Sequence, residues 1–347
     1  DAFRDSLYAM LKRNTFLNIK FENMLDTLGE MSRTDLYSYL KEWEQLTPLP
    51  FYSIGEPELT KVVNKGGEEF FVLKVLVSNN SDYDGIIQMN VLQNGWWYQP
   101  MEDPRARKKV EIAAHTSKEF VSVWEEQIRD VEINTMVSGN LPYMIRQSIG
   151  NVKQERNKIV KDTIYTLPES SLEMPGEVIV DNEDSTLFVL STPAVVGLLP
   201  KWLDKVEDTS FKYSGISWWR APLQWTATTN AKYYGKYIRS AYVIKSGDGS
   251  QTATWKIPVP EAGQYELYYH VFKDDELRWN DRLQGEYHFR VAYDSEMEDA
   301  YINLRKANEG WEQLGTYYFS ADTVRVMLTD ECKLRSVTAD AVKIVKR

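Results

Sequence analysis

Three carboxylates and an amide fall in four consecutive positions, Asp181-Asn182-Glu183-Asp184. Oxygen donors grouped this way hold hard cations, so Asp181 and Asp184 are candidate ligands for a structural Ca2+ ion. Asp340, near the chain's end, joins them if the last strand returns beside the first. The spacing matches no EF-hand loop. The alternative is a solvated turn together with an aspartate that accepts backbone hydrogen bonds and locks the terminal strand. A second group is aromatic: Trp218, Trp219, Trp225, Tyr233 and Tyr234. Flat rings with polar tips can stack on the C–H face of a sugar ring. These five lie in an irregular stretch rather than an alternating strand, which makes them candidate ligand-binding residues. The competing reading is that they fill a small core of that stretch or an interface with a neighbouring sandwich. Trp255 and Trp311 sit in strand-like patterns and are expected in the core.

Nothing else assembles a catalytic set. The three histidines, His115, His270 and His288, begin no His-Glu-x-x-His motif. His270 and His288 are expected as a surface pair, since two histidines do not make a zinc site. There is no Gly-x-Ser-x-Gly elbow and no glycine-rich phosphate loop. Carboxylates are plentiful, but no pattern marks two of them for one cleft. The sole cysteine, Cys332, has no partner for an intrachain disulfide and reads as an incidental thiol. The chain therefore reads as non-enzymatic, with no cofactor required.

The elements that position these residues are mostly strands. Residues 1–50 form a short helical segment: Phe3, Leu7, Met10 and Leu11 recur at helical spacing, as do Phe21, Met24, Leu25 and Leu28. Ser32-Arg33-Thr34-Asp35 suggests a third helix start, and Thr47-Pro48-Leu49-Pro50 ends it. Residues 51–170 carry short alternating runs, among them 69–77, 85–92, 118–123 and 131–137, with a hairpin signal at Asn94-Gly95. They predict an immunoglobulin-like β-sandwich. A polar, turn-rich connector spans 152–176. Residues 171–347 predict a second, jelly-roll-like sandwich. In it Tyr265, Leu267, Tyr269 and Val271 share one face, and so do Tyr287, Phe289, Val291 and Tyr293.

Composition narrows the function classes. A formal net charge of −10 argues against nonspecific nucleic-acid binding, which needs excess Lys and Arg. No apolar run approaches the roughly 18 residues that span a bilayer, so the chain holds no transmembrane segment. It carries no signal peptide and begins mid-helix without Met, which suggests a mature or excised fragment of a larger protein.

Two resemblances follow from these motifs. Residues 177–347 run through Val180-Asp181-Asn182-Glu183-Asp184, Tyr233-Tyr234-Gly235, Ala253-Thr254-Trp255 and Gly263-Gln264-Tyr265-Glu266-Leu267-Tyr268. They close with Trp311-Glu312-Gln313-Leu314-Gly315-Thr316-Tyr317-Tyr318-Phe319 and Ala339-Asp340-Ala341-Val342. This order resembles the golvesin/xanthan-lyase carbohydrate-binding-like domain. The resemblance implies a jelly-roll accessory module of exported bacterial enzymes, with glycan or cell-envelope polymer as partner. The stretch 186–232 is longer than that pattern. Residues 1–150, with Thr34-Asp35-Leu36 through Trp43 and then a β domain, resemble the tail of aminopeptidase-N-like zinc metallopeptidases without their zinc motif. The combined reading is a non-catalytic accessory region in the bacterial periplasm or at the cell surface, in contact with upstream domains of its own polypeptide. The alternative is a structural or protein-interaction module packed on the metallopeptidase-like or lyase-like enzyme it belongs to.

Overall fold

The computed structural model describes residues 2–14, 20–33, 35–36, 49–93, 103–150, 152–156, 160–169, 172, 176–191, 212–216, 220–273 and 285–347. The chain divides into two units, Asp1–Leu49 and Pro50–Arg347. In the first, α1 (Ala2–Arg13) and α2 (Phe21–Ser32) bury Met10, Leu25 and Leu28. Ser32 closes α2 rather than opening a new helix. Arg33 adopts the left-handed conformation, with φ 57°, and its N–H bonds the Gly29 carbonyl, a helix C-cap. The helix expected between Leu36 and Leu46 and the Asn94-Gly95 turn lie outside the described residues.

The second unit is mostly antiparallel β. Its first body contains β1 (Tyr52–Ile54), β2 (Glu58–Val63), β3 (Glu69–Asn79), β4 (Gly85–Gln93), β5 (Arg107–Ile112), β6 (Thr116–Trp124), β7 (Ile128–Asn134), β8 (Met144–Ser148), β9 (Val152–Arg156) and β10 (Thr163–Pro168). One sheet runs β10-β6-β3-β2-β9 with β1 added to β3, and the other runs β5-β4-β7-β8. Alternation along each strand sends one set of side chains inward. Leu73, Val75 and Val77 of β3 thus meet Ile87, Met89 and Val91 of β4 in one core. The polar connector is not simply a linker, because β9 and β10 lie within it and pair with β2 and β6. Both are edge strands, and edges carry polar residues that discourage further pairing.

The second body contains β11 (Glu177–Val180), β12 (Phe188–Leu190), β13 (Thr226–Thr229), β14 (Ser240–Lys245), β15 (Thr252–Pro258), β16 (Gly263–Val271), β17 (Glu286–Tyr293), β18 (Glu296–Asn303), β19 (Gly310–Phe319), β20 (Thr323–Thr329), β21 (Ser336–Ala339) and β22 (Val342–Lys346). The sheets run β11-β22-β16-β19, β12-β15-β20-β17-β18 and β13-β14-β21. Tyr265, Leu267, Tyr269 and Val271 point inward as predicted and share a core with Tyr287, Phe289 and Val291. That geometry separates His270 from His288. Each lies between inward-facing neighbours on a different sheet, so the two point away from each other and no surface pair forms.

The two bodies are stitched together. Leu141 bridges Ile238 in parallel: its N–H donates to Tyr237 O at 3.0 Å, and Arg239 N–H donates to Leu141 O at 2.6 Å. The Phe51 and Tyr237 rings lie 5.3 Å apart. The bridging loop is held from behind by buried Asn140. Its Oδ1 accepts from Tyr52 N–H at 2.9 Å, and its Nδ2 donates to Tyr52 O at 2.7 Å. Replacing Asn140 with alanine leaves both backbone groups buried without those partners. The expected cost is about 1–3 kcal/mol in urea-induced unfolding. A change below about 0.5 kcal/mol would show that the loop holds its place without this clamp.

Candidate functional site

The site is built on the turn between β13 and β14. Gly235 has φ +151°, and a Cβ there would fall 1.9 Å from Ile238 O, so the turn needs glycine. The two tyrosines before it go opposite ways. Tyr233 is buried, edge-on to Phe272 at 4.7 Å, and offers no open ring face. Tyr234 is half-buried, with its ring 5.0 Å from Trp311 and 5.8 Å from His270.

Asp340, fully buried after β21, anchors this arrangement. Both its carboxylate oxygens accept from Tyr234 N–H at 3.2 Å, and Oδ2 lies 2.8 Å from His270 Nδ1. Burial holds the Asp340 carboxyl above its ordinary range, although His270, Tyr234 N–H and Arg239 pull the other way. Burial also pushes Asp181 well above the usual carboxylate range, and the nearby Asp340 adds to the rise. Burial lowers the Arg239 guanidinium to about 10, with Asp340 opposing.

Trp311 corrects an expectation. It is half-buried on the outer face beside His270, not in the core. Counting back from inward-facing Phe319 and Tyr317 in steps of two would turn Trp311 inward. The pairing of β16 with β19 shifts register between Leu267 and Tyr268, so Trp311 pairs with outward-facing His270. One extra residue exchanges the two faces of a strand. Lys343 Nζ then lies 4.9 Å from the Trp311 ring centroid and 5.4 Å from that of Tyr268, and 2.7 Å from Glu177 Oε1. Trp311 was legible only as a strand aromatic, because nothing in the sequence marks the bulge.

Tyr234, Trp311 and Lys343 form one wall of a cleft of about 970 Å3. The first body supplies the facing wall, including Glu56, Lys74 and Glu119. This volume is at the upper end for ligand pockets. An aromatic pair beside paired charges can hold a ligand by ring contact and hydrogen bonding.

The other predicted residues are placed differently. Trp225 is half-buried against the second core, and its Nε1 is enclosed without a hydrogen-bond partner among the described residues. Trp218 and Trp219 lie outside the described residues. The carboxylates of the acidic segment accept hydrogen bonds within and around the turn. Asp184 Oδ2 accepts from Asp181 N–H at 2.8 Å, and Asp181 Oδ1 accepts from Asn182 N–H at 2.7 Å. Glu183 accepts from Ser240 Oγ, from Lys212 Nζ, and from Tyr213 OH at 3.0 Å. Among the described residues, no three His, Cys, Asp or Glu side chains form a group that could hold a metal ion. Asp181, Asp184 and Asp340 form no such group. The backbone-locking aspartate is what Asp340 provides.

Fold and site define a β-sandwich protein with an aromatic-walled cleft between two bodies. Residues 218–346 match the golvesin C-terminal domain family, so the C-terminal region is golvesin-like. No curated protein matches the chain. Among solved structures, it is similar to Bacteroides uniformis beta-glucuronidase at 10% identity and TM-score 0.22, over 91% of this chain and 32% of that one. It is similar to Bacteroides uniformis beta-glucuronidase 2 bound to cyclophellitol-6-carboxylate aziridine at 12% identity and TM-score 0.23, over 91% and 32%. Sulfolobus Turreted Icosahedral Virus gives 10% identity and TM-score 0.18, over 86% and 92%. The chain spans about a third of the length of the beta-glucuronidase chains. At these scores the structural likenesses carry no argument. The resemblance of residues 1–150 to aminopeptidase-N-like metallopeptidases finds no support in these matches.

Proposed function

We propose that this chain is a non-catalytic accessory region of a larger exported bacterial protein, and that its second unit binds carbohydrate in the cleft between the two bodies. The observation that carries the reading is the Tyr234–Trp311 pair, held at 5.0 Å on the cleft wall by a turn that requires Gly235 and a buried Asp340. The golvesin-like region favours a carbohydrate-related accessory role. A second reading, a module that packs on the enzyme it belongs to, is favoured by Lys343, which already occupies ring surface of Trp311 and Tyr268.

A glycan array followed by titration calorimetry separates the two. The chain is expected to bind at least one saccharide, and Tyr234→Ala and Trp311→Ala are each expected to weaken it at least about tenfold. Trp225→Ala is expected to leave affinity within about twofold, because its ring packs on the core. Binding that survives in both cleft variants would move the site elsewhere.

A further inference from the structure

The cleft's charges point to its ligand class; this step rests on the carbohydrate-binding reading above. Five carboxylates and five Lys or Arg side chains line the cleft, with His270 beside them, so its formal charge is balanced. Three of the five cations are already engaged, and Lys74 shares its wall with Glu56, Glu58 and Glu119. Lys343 Nζ is 2.7 Å from Glu177 Oε1, and Lys232 Nζ is 3.2 Å from Glu309 Oε2. Arg239 Nη1 donates to Ala231 O at 2.9 Å, and its guanidinium lies in the field of buried Asp340. Glu58 is also paired, at 3.1 Å, with Lys153.

An anionic ligand needs donors that are not already matched, because recognition of carboxylate or sulfate draws its strength from charge-assisted bonds to Lys and Arg. Entry of an anion here would set it against Glu177 and Glu309 or require breaking their pairs. The whole chain adds a formal charge of −10, which repels polyanions at long range. A neutral sugar meets neither cost. Its hydroxyls both donate and accept, so they can bond to the carboxylate and ammonium ends of existing pairs without separating them. Its C–H faces suit the half-buried rings of Tyr234 and Trp311.

We infer that the cleft between the two bodies takes a neutral, hydroxyl-rich oligosaccharide and rejects uronate and sulfated glycans. The inference is tested by affinity electrophoresis of the 347-residue chain in gels carrying mixed-linkage β-glucan, galactomannan, polygalacturonate, alginate or heparin, at low and at high NaCl. At least one neutral polymer is expected to retard the chain, with retardation changing less than about twofold between the two salt conditions. Tyr234→Ala and Trp311→Ala are expected to lower that retardation at least about tenfold. Their melting temperatures are measured alongside, so a loss caused by unfolding is recognised, and Tyr234→Phe then serves as the milder variant that keeps the ring and the binding. Retardation by the uronate or sulfated polymers alone, fading with salt, overturns the neutral-ligand inference and leaves carbohydrate binding standing. Neutral binding undiminished in both alanine variants overturns the cleft assignment. No retardation by any polymer overturns the carbohydrate reading and this inference together.

Discussion

Replacing Trp255 with alanine is expected to lower the unfolding free energy of the Pro50–Arg347 unit by about 3–5 kcal/mol. Trp255 is fully buried in β15, opposite Phe188 of β12 and Val326 of β20. Its ring lies 5.4 Å from Phe188 and 6.0 Å from Tyr269, which reaches it from the facing sheet. Its Nε1 donates to Asp340 O at 3.2 Å, tying the sheet to the corner that carries the site. Truncation removes both the apolar area and the bond, and the surrounding strands cannot collapse into the space without losing their ladders. Trp255→Phe keeps most of the volume and loses the hydrogen bond, so a smaller loss of about 1–2 kcal/mol is expected. Urea unfolding followed by far-ultraviolet circular dichroism checks both values. A loss below about 1 kcal/mol for the alanine variant would mean that Trp255 does not hold the two sheets together.

Trp255 also shows how much of the fold could be read from the sequence. The Ala253-Thr254-Trp255-Lys256-Ile257 run alternates small or apolar with polar residues, and its apolar set faces the core. The same period places Tyr265 through Val271 and Tyr287 through Val291 correctly. It does so because each of these strands is buried on one face and wet on the other. Where burial falls on neither face, the signal disappears. β9, rich in charge, and β10, mostly exposed, are edge strands, so they read as a connector. Their membership in the sheet is set by pairing with β2 and β6, which no local pattern encodes.

The site was legible in part, for a related reason. Tyr234 stood out because it lies outside any alternating run, and Asp340 because an acid near the last strand can accept backbone hydrogen bonds. The way the pieces join could not be read. Tyr233 and Tyr234 are identical and adjacent, and only the packing of the turn shows which goes inward. Trp311 is carried to the outer face by a register shift that depends on the neighbouring strand. The acidic segment left two readings open, because oxygen-rich composition is shared by cation sites and by turns that cap their own backbone. The bonds from Asp181 N–H to Asp184 and from Asn182 N–H to Asp181 decide for the turn.

Asp340→Ala is expected to cost about 3–5 kcal/mol, because it strips partners from groups that stay buried. Tyr234 N–H and His270 Nδ1 lose their acceptor, and buried Arg239 loses its compensating charge. Asp340→Asn keeps an acceptor for Tyr234 N–H without the charge and is expected to recover part of that loss, since Arg239 still lacks its compensating charge. Burial holds the Asp340 carboxyl above its ordinary range. Asp181 is raised for the same cause, with Asp340 next to it. For both groups the native state binds protons more tightly than the unfolded chain. Their contribution to stability is therefore fully present below the unfolded pKa, near 4, and is lost as pH rises through the higher folded values. The stability of Asp181→Asn relative to the native chain should therefore grow as pH rises across that acidic window and then level off. Asp181→Asn should be more stable than the native chain at neutral pH, since it keeps the acceptor for Asn182 N–H and removes the repulsion with Asp340. Urea midpoints for the native chain and these three variants, at acidic and at neutral pH, provide the test. An Asp181→Asn variant that gains nothing on the native chain as pH rises, or is weaker at neutral pH, would show that Asp181 is stabilised in its charged form.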